Sequence, residues 1–195
     1  KLIIFNKNLG KNIGIDTNQP EECCAQLFSG NIIPDGASPI ALTYSGHQFG
    51  HFVPQLGDGR AVLLGEVTTT ENNRHDIQLK GSGRTKYSRQ GDGRSPVGPV
   101  IREYILSEAM HALNISSTRS LAVVTTGENV MREKVLPGAI LTRVAASHIR
   151  VGTFQYVAMS GDLKVLKTLV EYAIKRHYPY LKEERNLALS LLQIV

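Results

Sequence analysis

The sequence predicts an α+β fold: a five-stranded antiparallel sheet with one helix inserted after its third strand, followed by the first helices of a second lobe. Three observations carry this reading. From Phe52 the chain breaks into short β-type runs separated by glycine turns. A single amphipathic stretch, "SPVGPVIREYILSEAMHALNI", divides the third run from the fourth. Beyond residue 155 the apolar spacing turns helical and stays so. An apolar fraction of 42% over 195 residues is enough for a core around such a sheet.

In order, residues 1–40 are expected as a loosely ordered lead-in, interrupted by Pro20, Pro34, Gly36 and Pro39, with one short helix at 21–27. "FVPQL" and "RAVLLGEVTT" then read as two strands joined by the glycine turn "GDG", and "HDIQLK" as a third strand ending on Lys80. A long loop of glycines and cations follows. In the helix after it, Val100, Ile101, Tyr104, Ile105, Ala109 and Leu113 recur at i, i+3, i+4 spacing and predict the stripe that faces the sheet. Pro99 suits its first turn, and Asn114 stops it. "SLAVVTTGENV" and "GAILTRVAAS" read as the last two strands, flanking a turn with Pro137 and Gly138. "GDLKVLKTLVEYAIKRHY" is a second amphipathic helix, whose Leu163, Leu166, Leu169, Val170 and Ala173 suit a core helix docking two lobes, and residues 183–195 begin a third. This order is the arrangement of a protein-kinase-like small lobe at residues 41–155, with residues 156–195 opening a truncated helical large lobe.

The formal net charge of +5 favours acidic or phosphorylated ligands without requiring nucleic acid. Cys23 and Cys24 are neighbours, and adjacent cysteines rarely bridge, so a reducing compartment is expected. No apolar run approaches the roughly 20 residues that span a bilayer, and no membrane partner is expected. "KLIIFNKN" lacks the length and cleavage site of a signal peptide, so the cytoplasm is the expected home. A start at Lys1 and an uncapped apolar run, "LALSLLQIV", at the other end are expected of a fragment cut inside a helix.

The chemistry concentrates in "LKGSGRTKYSRQGDGRSPVG", residues 79–98, where Lys80, Arg84, Lys86, Arg89 and Arg94 alternate with glycines and Asp92 is the only acid. Such a loop suits nucleotide phosphates, a nucleic-acid backbone, or solvent alone. Tyr87 is its only aromatic, which leaves a single-strand stacking platform poorly supported. In a kinase-type lobe the lysine of the third strand meets phosphate and a glutamate of the next helix holds it. Lys80 and Glu103 have those places, with Glu108 the weaker candidate; on spacing alone an ordinary surface ion pair fits as well. "LGDGR" is no Walker loop, because no G-K-[ST] follows. Gly57 and Gly59 could admit a nucleotide or simply turn a hairpin, and Asp58 between them would repel a triphosphate lying over the turn. His47 and His51 have i, i+4 spacing, but Gly46 and Gly50 argue against a helix, so packing is expected there rather than metal binding.

Three stretches, "YSGHQFGHFVPQLGDGRAVLLGE", "DIQLKGSGRTKYSRQGDGRSPVGPVIREYILSEAMHAL" and "LTRVAASHIRVGTFQ", resemble the selenoprotein O (SelO, bacterial YdiU) family over residues 41–154. The resemblance implies a protein-kinase-like fold and protein adenylylation, the transfer of AMP from ATP to Ser, Thr or Tyr hydroxyls of proteins. It implies a nucleotide bound flipped relative to a kinase, so that an acid in the glycine turn is tolerated. Lys80 then grips phosphate with Glu103 as its ion-pair partner. Gly57, Gly59, Arg60, Asp92 and Gly93 match positions that line the nucleotide, and Arg143 and Arg150 match phosphate-binding arginines. ATP as substrate and Mg²⁺ or Mn²⁺ follow from the family, as does a mitochondrial home if the source is eukaryotic; nucleic acid does not.

After Arg150 the chain carries only Asp162 and Glu171 before residue 182, neither in the context of a catalytic loop or a metal-binding acid. The catalytic acids and metal ligands are therefore expected beyond Val195, and the piece alone is expected to be inactive. An ordinary kinase-type phosphotransferase and a non-catalytic nucleotide- or nucleic-acid-binding module remain alternatives.

Overall fold

Strand alternation in one short run sets the plan of the molecule. In "RHDIQLK" Ile77 and Leu79 point to one face, while Asp76, Gln78 and Lys80 point to the other. The computed structural model describes residues 1–181. Its elements, in chain order, are β1 (Leu2–Phe5), α1 (Lys7–Asn12), α2 (Glu21–Ser29), β2 (Gly46–Gln48), β3 (His51–Val53), β4 (Ala61–Thr68), β5 (Arg74–Lys80), β6 (Ser95–Pro96), α3 (Val97–Ala112), β7 (Arg119–Met131), β8 (Val135–Ala145), α4 (Val151–Met159) and α5 (Leu163–His177). They form two compact units. Lys1–Thr43 joins Leu56–Ile149, and Tyr44–Gln55 joins the chain from Arg150 onward.

The first unit is an antiparallel sheet in the order β1-β7-β8-β5-β4, with the short β6 paired to β8. One face buries Ile77, Leu79, Leu121, Val124 and Ile140 beneath Leu9, Ile13, Cys24 and Phe28 of the first two helices and their flanks. On the other, Val97, Val100, Ile101 and Tyr104 of α3 cover Val123, Ala139 and Leu141. The expected α+β class and the helix after the Lys80 strand are what the chain adopts, whereas the antiparallel sheet has six strands and not the five expected.

The details differ in instructive ways. The first forty residues are not loosely ordered: β1 pairs with β7 at the sheet edge, and two helices cover one face. "FVPQL" does not join the sheet. Pro54 lacks the N–H a ladder needs, and the strand ends at Val53, paired only with β2. Pro137 and Gly138 lie inside β8 rather than in its turn, which is made by Arg132 to Lys134. A register shift between Thr125 and Asn129 on β7 accommodates them. The α3 stripe is also narrower than expected, since Ile105 and Leu113 are 58% and 69% exposed. Asn114 does end the helix, in the left-handed region at φ 58.

In the second unit, β2 and β3 form a hairpin whose two turn residues, Phe49 and Gly50, both have positive φ, the inverted turn that matches the twist of paired strands. His47 and His51 therefore sit on paired strands, and His47 meets the Phe52 ring edge-on at 5.3 Å. The Ser45 N–H donates to the Gly152 carbonyl at 2.8 Å, tying this hairpin to α4. In α5, Asp162 caps the first turn by accepting from the Lys164 and Val165 amides. Ala173 and Ile174 are buried, whereas Leu163 is exposed. The third helix expected at 183–195 lies outside the described residues.

Candidate functional site

Lys80 closes β5, opposite Ala61 of β4 and Leu141 of β8, with its side chain on the α3 face. Its Nζ donates to Glu103 Oε2 at 2.5 Å, and the other carboxylate oxygen of Glu103 lies 3.4 Å from Arg143 Nη1. Arg143, on β8, faces Gln78 across the ladder. One carboxylate thus holds two cations side by side. The side chains of Lys80, Glu103 and Arg143 are 26%, 33% and 13% exposed, which makes this a half-buried cluster and not a solvated surface pair. Burial pushes the Lys80 ammonium below its ordinary pKa. The hydrogen bond to Glu103 pulls it back up, while Arg143 and, less strongly, Arg60 depress it. Cations in a partly dry setting attract polyanions more strongly than the same charges in open water. Glu108 is engaged elsewhere, accepting from Arg119, from the Ser120 amide and from Asn6.

The glycine turn is packed, not open. Thr85 Oγ1 donates to the Asp58 carbonyl at 2.7 Å and Ser88 Oγ to the Gly59 carbonyl at 2.6 Å, so the cationic loop folds over the turn. A Cβ on Gly57, whose φ is +67, would lie 2.3 Å from the Tyr87 ring. Asp58 itself is 3% exposed and accepts from Gln78 Nε2 at 3.1 Å, while Gln78 Oε1 accepts from Arg143. The acid that looked misplaced under a triphosphate faces the protein interior. The pattern D-I-Q-L-K, polar at every second position up to Lys80, is the signal by which Gln78 could have been found.

Asp92 and Gly93 sit on the far part of the same loop. Arg132 grips the Asp92 carboxylate at 2.8 and 3.1 Å, and with the Arg94 amide holds its pKa down at about 2. Gly93 packs so closely on Gly83 that a Cβ would lie 1.9 Å from its carbonyl oxygen. Three other loop cations have partners: Arg94 pairs with Glu128, Arg84 donates to the Arg89 carbonyl, and Lys86 lies 5.0 Å over the Tyr87 ring. Arg150 belongs to the second unit, where its guanidinium lies 4.5 Å over the Tyr44 ring. In the first unit, Asp76 accepts from the His148 backbone N–H at 2.7 Å and meets its ring at 3.3 Å. The structure thus joins Lys80, Glu103 and Arg143 directly and Arg60 through its field. It links Gly57 and Gly59 to them through Asp58 and Gln78, and gives Asp92, Gly93 and Arg150 neighbours of their own.

Among the described residues no group of three or more His, Cys, Asp or Glu could hold a metal ion, so no metal ligand is assigned to this chain and no step is derived through one. Among the described residues no helix is long and apolar enough to cross a membrane.

The family model described as protein adenylyltransferase SelO matches residues 1–195. A protein nucleotidyltransferase YdiU of Rhizobium meliloti (strain 1021) is 58% identical over 194 residues, covering 100% of this chain and 40% of that relative. The protein of the same name from Halalkalibacterium halodurans is 61% identical over 198 residues, again across the whole chain and 40% of the relative. The chain therefore spans about 40% of the length of these curated relatives. By this match over its full extent, the chain belongs to the protein adenylyltransferase SelO family.

Proposed function

We propose that this chain supplies the phosphate-binding wall of a protein adenylyltransferase, which transfers AMP from ATP to Ser, Thr or Tyr hydroxyls of proteins. The observation that carries the reading is the half-buried Glu103 carboxylate holding Lys80 and Arg143 side by side. In this reading Lys80, Arg143 and Arg150 bind the triphosphate, and Gly57, Gly59, Arg60, Asp92 and Gly93 line the nucleotide. The acceptor hydroxyl oxygen bonds to the α-phosphorus, and the bond from that phosphorus to the bridging oxygen breaks. Pyrophosphate leaves with the electron pair, and the hydroxyl proton goes to a carboxylate that we place beyond Val195. Lys80 and Arg143 stabilise the charge that builds on the pyrophosphate, which fixed cations do best where water is scarce. Residues 41–155 act as the small lobe, and residues 156–195 open the large one.

The test is labelling with α-³²P-ATP by the full-length protein and by Lys80→Ala. The variant is expected to lose labelling roughly 10²–10³-fold, the usual consequence of removing one such stabiliser. Equal labelling by both removes Lys80 from the role. A lysine–glutamate pair also serves γ-phosphoryl transfer in kinases, so a second reading is ordinary phosphorylation. Label appearing on acceptors from γ-³²P-ATP and not from α-³²P-ATP establishes that reading instead.

A further inference from the structure

Behind Arg143 lies a glutamine with no exposed surface. Gln78 is 0% exposed, two residues before Lys80 on the same strand face and directly opposite Arg143 in the ladder. Its amide donates at one end and accepts at the other. Nε2 donates to Asp58 Oδ2 at 3.1 Å, and Oε1 accepts from Arg143 Nη2. A guanidinium can only donate, so Arg143 takes the amide oxygen, and the NH₂ end is held by Asp58. Glu103 meets the other terminal nitrogen, Nη1. Arg143 is thereby gripped at both ends of its fork, once by a charge and once by a neutral oxygen.

The neutrality matters. A second carboxylate in the place of Gln78 would hold Arg143 equally well but would cancel its charge toward a ligand. An amide held at its far end by an acid fixes the guanidinium through a neutral oxygen and adds no charge of its own at the contact. We infer that Gln78, locked by Asp58, is the positioning residue that aims Arg143 at phosphate, which gives the acid of the glycine turn its task. The inference rests on the adenylyltransferase reading for what Arg143 meets. It assigns the turn a role in presenting Arg143 in addition to any contact with the nucleotide.

The test is a double-mutant cycle on the full-length protein, with ATP affinity read by calorimetry and KM and kcat read by α-³²P-ATP labelling. Gln78→Met, which keeps length and removes both polar ends, is expected to weaken ATP binding about tenfold and to raise KM more than it lowers kcat. Added to Arg143→Met it is expected to cost nothing further, because its effect runs through Arg143. Asp58→Ala removes the acceptor that holds the amide; it is expected to weaken binding several-fold alone and not at all beside Arg143→Met, which decides the matter if Gln78→Met fails to fold. Additive losses, or unchanged ATP affinity in the folded single variants, overturn the inference. Failure of the functional reading looks different: the parent then binds ATP but transfers no α-label, and the binding cycle still decides the role of Gln78. A parent that binds no ATP overturns both.

Discussion

Lys80 can meet phosphate only while it is protonated, and its surroundings bring its deprotonation closer to neutrality. Burial lowers its pKa below the ordinary 10.5, with Arg143 and Arg60 adding to the fall and Glu103 opposing it. A lysine whose folded pKa lies below its unfolded one is a cost to folding while charged, relieved as pH rises through the folded value. For ligand binding the sign is opposite. Affinity that needs the ammonium is present below the folded pKa and lost as pH climbs through it. ATP affinity of the full-length protein is therefore expected to decline on the alkaline side before pH 10.5, and Lys80→Arg to hold its plateau further, because a guanidinium stays charged. Calorimetry across that range checks this, and identical profiles for parent and variant would show that another group governs the decline.

The cationic loop between β5 and α3 depends on glycine at some positions and not at others. A Cβ on Gly93 would collide with the Gly83 backbone, and φ there is +68, so neither space nor conformation admits alanine. Gly98, in the first turn of α3, has nothing within 4 Å of such a Cβ. Gly93→Ala is expected to destabilise the protein by about 1–3 kcal/mol, whereas Gly98→Ala is expected to be neutral or to stabilise by up to ~1 kcal/mol. Denaturant midpoints of the two variants decide it. The loop is also pinned by Asp92 on Arg132. With its carboxyl lowered from 3.8 to about 2, this contact stabilises above the ordinary value and is lost as pH falls through the lowered one. Hydrogen exchange of residues 81–94 is expected to rise over that interval in the parent, and to be already raised, with less dependence on pH, in Arg132→Met. Sequence made some of these relations legible. Lys80 and Glu103 could be matched because a strand end and the first turns of the following helix are local features with a known partner geometry. Arg132 could not be matched to Asp92, because 40 residues separate them and no periodicity connects them. β1 was missed because four residues carry too little pattern, and "FVPQL" was misplaced because alternation reveals a strand but not its partner. Gln78 was missed because polar residues at alternate positions usually mark a solvent face, and here that face lies under α3 and the glycine turn.

At the scale of the whole sheet-and-helix unit, α3 is held by little. Its apolar contact is confined to Val97, Val100, Ile101 and Tyr104 over a small patch of the sheet, while Ile105, Leu106 and Leu113 are exposed. Ser107 and Glu108 add polar ties to the start of β7, and Glu103 ties the helix to β5 and β8 through the two cations. Two cations on one carboxylate repel each other, so this last tie is under electrostatic tension in the free protein. In the proposed function a polyphosphate against Lys80 and Arg143 relieves that repulsion and fixes the two cations, and with them the carboxylate that ties the helix. ATP binding and the seating of α3 are then linked, and linkage is reciprocal: whatever holds the helix must also favour the nucleotide. In the full-length protein, ATP is expected to slow amide exchange in the first turns of α3 by about three- to tenfold, a coupling of roughly 1 kcal/mol. Glu103→Gln, which leaves the shape and removes the charge, is expected to abolish that protection, because the helix then has no carboxylate for the cations to hold. Protection that persists in Glu103→Gln would mean that the helix responds to nucleotide through its apolar patch, and that the carboxylate serves Lys80 alone.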